Sequence, residues 1–190
     1  LGVDLLSLSA HKLYGPQGVG ALYVRRTHPG RSLRAELDGG GHERGMRSGT
    51  LNVPGIVGLG AACAVAREAL EATEPRIRSL RRRLADRLSA SIGDLVCFGA
   101  DEPHRVPGIL CLAIPGIGSD ALVTALPEVA LSAGSACTSG STAPSHVLAA
   151  MGVPMPLMHG AVRTSLGRST TEAEIDLVAE RIVRVVHRLR

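Results

Sequence analysis

The chain has 190 residues, 45% apolar and 20% charged, enough for one medium domain or two small ones with a buried core and too apolar for a disordered tail. Its formal charge of +4 would suit a nucleic-acid partner, but three aromatic residues, Tyr14, Tyr23 and Phe98, make no base-stacking platform, so the charge reads as a solvated basic surface. Of the 21 Lys+Arg a single residue, Lys12, is lysine, which marks a position where arginine cannot serve.

Residues 3–9 form a short apolar run suited to a buried strand and 20–24 form another, separated by a Gly- and Pro-punctuated loop over 10–18. Lys12 therefore falls on a loop just after a strand end, where a rigid sheet positions ligand-binding groups. Residues 39–50 (GGGHERGMRSGT) are too rich in glycine and charge for a core element and read as a long irregular loop. From Pro54, suited to a first helical position, Ile56, Leu59, Cys63 and Ala66 recur on one helix face. A second helix is predicted after Pro75, with Ile77, Leu80, Leu84, Leu88 and Ile92 inward and the Arg81-Arg82-Arg83 run on a solvated outer face. Short strands follow at 95–98, 109–114, 129–132 and 161–165, alternating with helices near 119–126 and 145–151. Thr171 and Glu174 offer a capping box to a final helix in which Ile175, Val178, Ala179, Ile182, Val185, Val186 and Leu189 keep the 3.6-residue period. The glycine loops give way to compact α/β alternation near residue 70, so the predicted domains are 1–70 and 71–190.

Four cysteines (Cys63, Cys97, Cys111 and Cys137) without a C-x-x-C pair form neither a disulfide framework nor a zinc cluster, and they suit a reducing cytoplasm. Nothing reads as a signal peptide or as an unbroken apolar run of about 18 residues, so no membrane association is expected. The chain begins at Leu1, inside an apolar run and without an initiator Met, as a piece of a longer protein would.

Two constellations carry chemistry. Lysine forms a Schiff base with a carbonyl because its amine can be neutralised, which the guanidinium of arginine cannot be at any biological pH. Beside Lys12, Ser9 and His11 offer a hydroxyl and an imidazole to a phosphate or a cofactor ring. The second constellation is residues 132–142, small residues around one thiol, Cys137. Cys63 and Cys111 stand among bulky apolar neighbours and read as buried, whereas Cys137 reads as an exposed thiol on a loop that moves between sites. A Cys–His hydrolase using His146 or His159 has no sequence feature to fix its geometry. Gly116-x-Gly118-x-x-Ala121 lacks the acidic residue of a dinucleotide site about 20 positions on, and reads as a plain strand-turn-helix.

Four stretches together carry a resemblance: Ser9 to Pro16 (SAHKLYGP), residues 39–50, residues 134–139 (GSACTS) and Val162 to Arg168 (VRTSLGR). In this order they resemble the cysteine desulfurases of the NifS and IscS type, within the class V aminotransferases. The resemblance implies a fold-type-I α/β enzyme using pyridoxal phosphate, with 1–70 as the end of the large cofactor domain and 71–190 as the small C-terminal domain. It implies that Lys12 anchors the cofactor, that Ser9, Ala10 and His11 contact it, and that Thr50 reaches the cofactor phosphate of a neighbouring subunit in a homodimer. Arg163 would clamp the carboxylate of L-cysteine. Cys137 would take its sulfur as a persulfide, leaving alanine, and pass it to an iron–sulfur scaffold protein or sulfur carrier; transient ligation of an iron–sulfur cluster by Cys137 is a further expectation.

Gln17 and Ala133 depart from the pattern where the family often has lysine and serine. The larger departure is an upstream half, with most of the cofactor pocket, that these residues do not include. The expectation is therefore a cytoplasmic desulfurase whose activity needs that half. The alternative is an inactive remnant or scaffold-binding module.

Overall fold

The computed structural model describes residues 2–26, 33–102, 104–133 and 145–190. They divide into two compact units, Leu1–Leu70 and Glu71–Arg190.

In the first unit, β1 (Leu5–Ser9) and β2 (Gly20–Val24) pair antiparallel with Leu5 opposite Val24 and Ser9 opposite Gly20. A short 3-10 turn, Ala10–Leu13, leaves the end of β1, and a second, Glu43–Gly45, lies in the glycine-rich loop. Little of this unit is buried: Leu22, Tyr23, Val57 and Leu70 are each about half exposed or more. Cys63, expected on a covered helix face, is exposed for the same reason.

Helix α1 is continuous over Val53–Ser91 with Pro75 inside it, where the sequence predicts two helices. Proline removes one hydrogen-bond donor and bends a helix, but Ala, Glu, Leu and Arg on both sides favour the helical state, and past Pro75 the apolar face is held by packing. α1 also contains an 18-residue stretch of mean hydropathy 1.4, 11% of it buried. The stretch is long and apolar enough to cross a membrane by length and composition only, a criterion that the core helix of a soluble protein also meets. An average tolerates breaks that an unbroken-run criterion does not.

The second unit is built on a three-stranded antiparallel sheet in the order β3-β4-β5, made of Val96–Phe98, Ile109–Ala113 and Val162–Ser165. Side chains alternate across a strand, so Leu110, Leu112 and Val162 face one side. They pack there with Leu84 and Leu88 of α1 and with Ile182 and Val186 of α5 (Glu172–Leu189). Leu122 of α2 (Ser119–Thr124) joins them. Phe98 and Cys111 face the other side, against Leu148 of α3 (His146–Ala150) and Leu157 of α4 (Met155–His159). Each fully buried leucine contributes about 2 kcal/mol by removal from water. The strand predicted at 129–132 is reduced to a single bridge between Ser132 and Arg163. Helix α4 is a short element outside the sequence prediction. The capping box forms as predicted: Glu174 N donates to Thr171 Oγ1 (3.3 Å) and Thr171 N to the Glu174 carboxylate (2.8 Å).

The Arg81-Arg82-Arg83 run is not a uniformly solvated face. Arg81 is buried, ion-paired to Glu102 and donating through Nε to the carbonyl of Pro107 (3.0 Å). Burial lowers its pKa against the attraction of Glu102. Arg83 reaches Asp176 on α5 with both Nε and Nη2 at 2.7 Å. Arg81 is drawn from the surface because α1 packs beside groups distant in sequence, while Arg83 stays 41% exposed in its ion pair.

Glu102→Gln removes the charge opposite buried Arg81 and is expected to lower unfolding stability by about 2 kcal/mol, read from the urea midpoint. Asp176 is held below the usual carboxylate range by its hydrogen bonds from Arg83, and Asp94 likewise by Arg190. A carboxylate depressed in the folded state contributes stability above its unfolded pKa of about 4 and loses it as pH falls through the folded value. The urea midpoint should therefore drop as pH falls below about 4, and Asp176→Asn should flatten that drop.

Candidate active site

Four of the expected site residues are brought together by one turn. Ala10 is fully buried and hydrogen-bonded on both sides: its N–H donates to the carbonyl of Val19 (3.1 Å), and its own carbonyl accepts from Gly15 N (2.9 Å). Tyr14 closes the turn in the left-handed region with φ 62°. A Cβ on Gly15 would lie 3.0 Å from both the Ala10 carbonyl oxygen and Ala62 Cβ, so a larger residue there would have to push its neighbours aside. These contacts hold the backbone of Ser9, His11 and Lys12 while the Lys12 side chain stays exposed. Ser9 Oγ and His11 Nδ1 are 3.0 Å apart. A primary amine, a hydroxyl and an imidazole on one rigid turn are a donor set suited to a phosphorylated carbonyl cofactor.

Thr50 leaves the second loop of the same unit and is exposed. The loop is folded across itself: Gly41 N donates to Ser48 Oγ (3.2 Å), Gly49 N to His42 Nδ1 (3.3 Å), and Ser48 N to the carbonyl of Leu37 (3.0 Å). Glu43 and Arg44 both take left-handed backbone angles, φ 52° and 60°. Such conformations cost free energy in residues with a side chain and persist where surrounding contacts impose them. Ser48 is the buried centre of the loop, 8% exposed. The sequence reading passed over it; a small hydroxyl residue between Arg47 and Gly49 was the available signal.

Arg163 belongs to the second unit. It lies in β5 opposite Cys111 and exchanges backbone hydrogen bonds with Ser132, 2.8 Å from Arg163 N to Ser132 O and 3.2 Å in return. Its Nε is buried and has no hydrogen-bond partner among the described residues. An unpaired buried guanidinium nitrogen is costly, and a substrate carboxylate taken in fork geometry would satisfy it. Burial pushes the Cys111 thiol up, against the pull of Arg163, so it stays protonated beside the cation. Cys137 lies outside the described residues. Among those residues no group of three His, Cys, Asp or Glu gathers as a metal site.

The first unit thus carries a lysine on a strand-end turn, and the second an arginine whose buried Nε has no partner among the described residues. The chain belongs to the aminotransferase class-V family, which it matches over residues 1–178. It is 53% identical over 188 residues to a cysteine desulfurase IscS of Anaeromyxobacter sp. (strain Fw109-5), covering 99% of this chain and 46% of that protein. It is 47% identical to a cysteine desulfurase of Homo sapiens, covering 99% of this chain and 41% of the other. A solved structure described as a NifS-like protein superposes with a TM-score of 0.85 at 34% identity, over 98% of this chain and 47% of that one. The chain thus spans less than half the length of these relatives, and its fold is that of the NifS-like enzymes.

Ser48→Ala leaves Gly41 N without its acceptor, a loss of about 1 kcal/mol locally. Amide exchange at Gly41 should accelerate by roughly fivefold while Leu112, in the other unit, is unchanged.

Proposed function

We propose that this chain is the C-terminal portion of a pyridoxal-phosphate-dependent cysteine desulfurase. The observation that carries the reading is the pinned turn around buried Ala10, which presents the single lysine of the chain beside Ser9 and His11. The 53% identity to a protein named cysteine desulfurase supports it.

In this reading Lys12 anchors the cofactor through its amine, Ser9, Ala10 and His11 line it, and Thr50 reaches the phosphate of the cofactor in a second subunit of a homodimer. Pyridoxal phosphate, when bound, supplies an electron sink for the bonds at the substrate's α- and β-carbons. Arg163 grips the carboxylate of L-cysteine with two parallel hydrogen bonds, one of them from the buried Nε that has no partner among the described residues. Lys12, freed from its anchoring bond, moves a proton at the substrate α-carbon. The Cys137 thiolate attacks the substrate sulfur; a new S–S bond forms as the C–S bond breaks, and its electron pair is protonated at carbon to leave alanine. Cys137 is then a persulfide, passed to an iron–sulfur scaffold or a sulfur carrier in a cytoplasmic setting, with transient cluster ligation a further role for the same thiol.

Activity requires the part of the longer relatives that this chain does not span. The half-exposed Leu22, Tyr23, Val57 and Leu70 of the first unit form surface that a larger cofactor domain would bury. The 190-residue chain alone is therefore expected to bind pyridoxal phosphate poorly, without the visible absorbance of a lysine-bound cofactor. In the complete polypeptide Lys12→Arg should abolish that absorbance. Cys137→Ala should retain it while sulfide release from L-cysteine falls by about a thousandfold or more. Sulfide release persisting in Cys137→Ala would remove the persulfide role.

A further inference from the structure

Arg76 follows Pro75 in α1, and its guanidinium grips the turn after β5: Nη1 donates to the carbonyl of Thr170 (2.7 Å) and Nη2 to that of Arg168 (2.5 Å). The turn is also closed on itself, by Gly167 N to Thr170 Oγ1 (2.9 Å) and by Thr170 N to the Gly167 carbonyl (3.1 Å). Leu166 N joins it to the carbonyl of Gly108 (2.8 Å). At that joint a Cβ on Gly108 would stand 2.6 Å from the Leu166 carbonyl oxygen, so the two backbones meet with no room for a side chain.

Strand β5 is four residues long and Arg163 is its second. On one side the bridge to Ser132 fixes it; at its C-terminal end it runs directly into the turn that Arg76 holds. A planar fork reaching two carbonyls two residues apart sets the direction of a turn as well as its distance, which one ammonium cannot do. Both hydrogen bonds are exposed. Exposed bonds contribute little to global stability, so their effect falls on local geometry.

We propose that Arg76 is a positioning residue for substrate binding, fixing the 166–170 turn and through it the placement of Arg163. The proposal rests on the reading of Arg163 as the carboxylate clamp. In the complete polypeptide, Arg76→Gln should raise KM for L-cysteine about fivefold while kcat stays within about twofold. Arg76→Lys should recover only part of this, and Arg76→Gln should add little once Arg163→Lys is present. An unchanged KM in Arg76→Gln, or full additivity with Arg163→Lys, overturns the proposal.

Amide exchange in the same protein is independent of turnover. Arg163 and Leu166 should exchange at least about fivefold faster in Arg76→Gln while Ile182 is unchanged; unaltered protection at 163 and 166 overturns the positioning role. A wild-type protein that binds pyridoxal phosphate but does not turn over L-cysteine would defeat the desulfurase reading instead, and the exchange comparison would still decide on Arg76.

Discussion

Strand β4 is the constraint on which the second unit depends. As the middle strand it pairs with both β3 and β5, and its alternate side chains feed two separate apolar clusters. Leu110 and Leu112 are almost wholly buried against α1 and α5, while Cys111 faces α3 and α4 with Phe98. A one-residue slip would turn both sets toward the wrong layer. The register that places leucines in the larger cluster also places Arg163 opposite Cys111, on the other face from that cluster. The position of Arg163 is thus a by-product of burying the core.

The two units hold their functional groups by different means. In the second, packing over a sheet sets Arg163. In the first, with few buried side chains, hydrogen-bonded backbone sets Lys12 and Thr50: one loop closes around the Ala10 amide and carbonyl, the other around Ser48 Oγ. Polar backbone groups pinned by local partners hold a geometry that a small apolar core cannot hold alone. The same unit leaves much of its apolar surface exposed, consistent with relatives more than twice the length of this chain.

The family was legible before any fold was known. A single lysine among arginines, a thiol among small residues, and four stretches in a particular order carry the family assignment. The strands at 20–24 and 109–113, the inward leucines of α1 and the capping box of α5 follow from period and cap chemistry alone. Pro75 misled because a proline in sequence marks a break, yet the helix continues where both sides carry helix-forming residues and the part past Pro75 packs into the core. Arg81 misled because a run of arginines reads as solvent-facing, and only the approach of Glu102 and Pro107 from another part of the chain made its burial tolerable.

What the sequence by itself determined is which atoms can react: an amine at position 12, a thiol at 137, a guanidinium at 163. Those are properties of side-chain type, independent of neighbours. Tertiary structure alone decided which polar groups are left unpaired and which are held: the buried Nε of Arg163, the closed ring of bonds around Ser48, and the grip of Arg76 on a turn more than ninety residues away. The grip of Arg76 joins segments far apart in the chain, and local pattern carries no information about which carbonyl a distant guanidinium will meet.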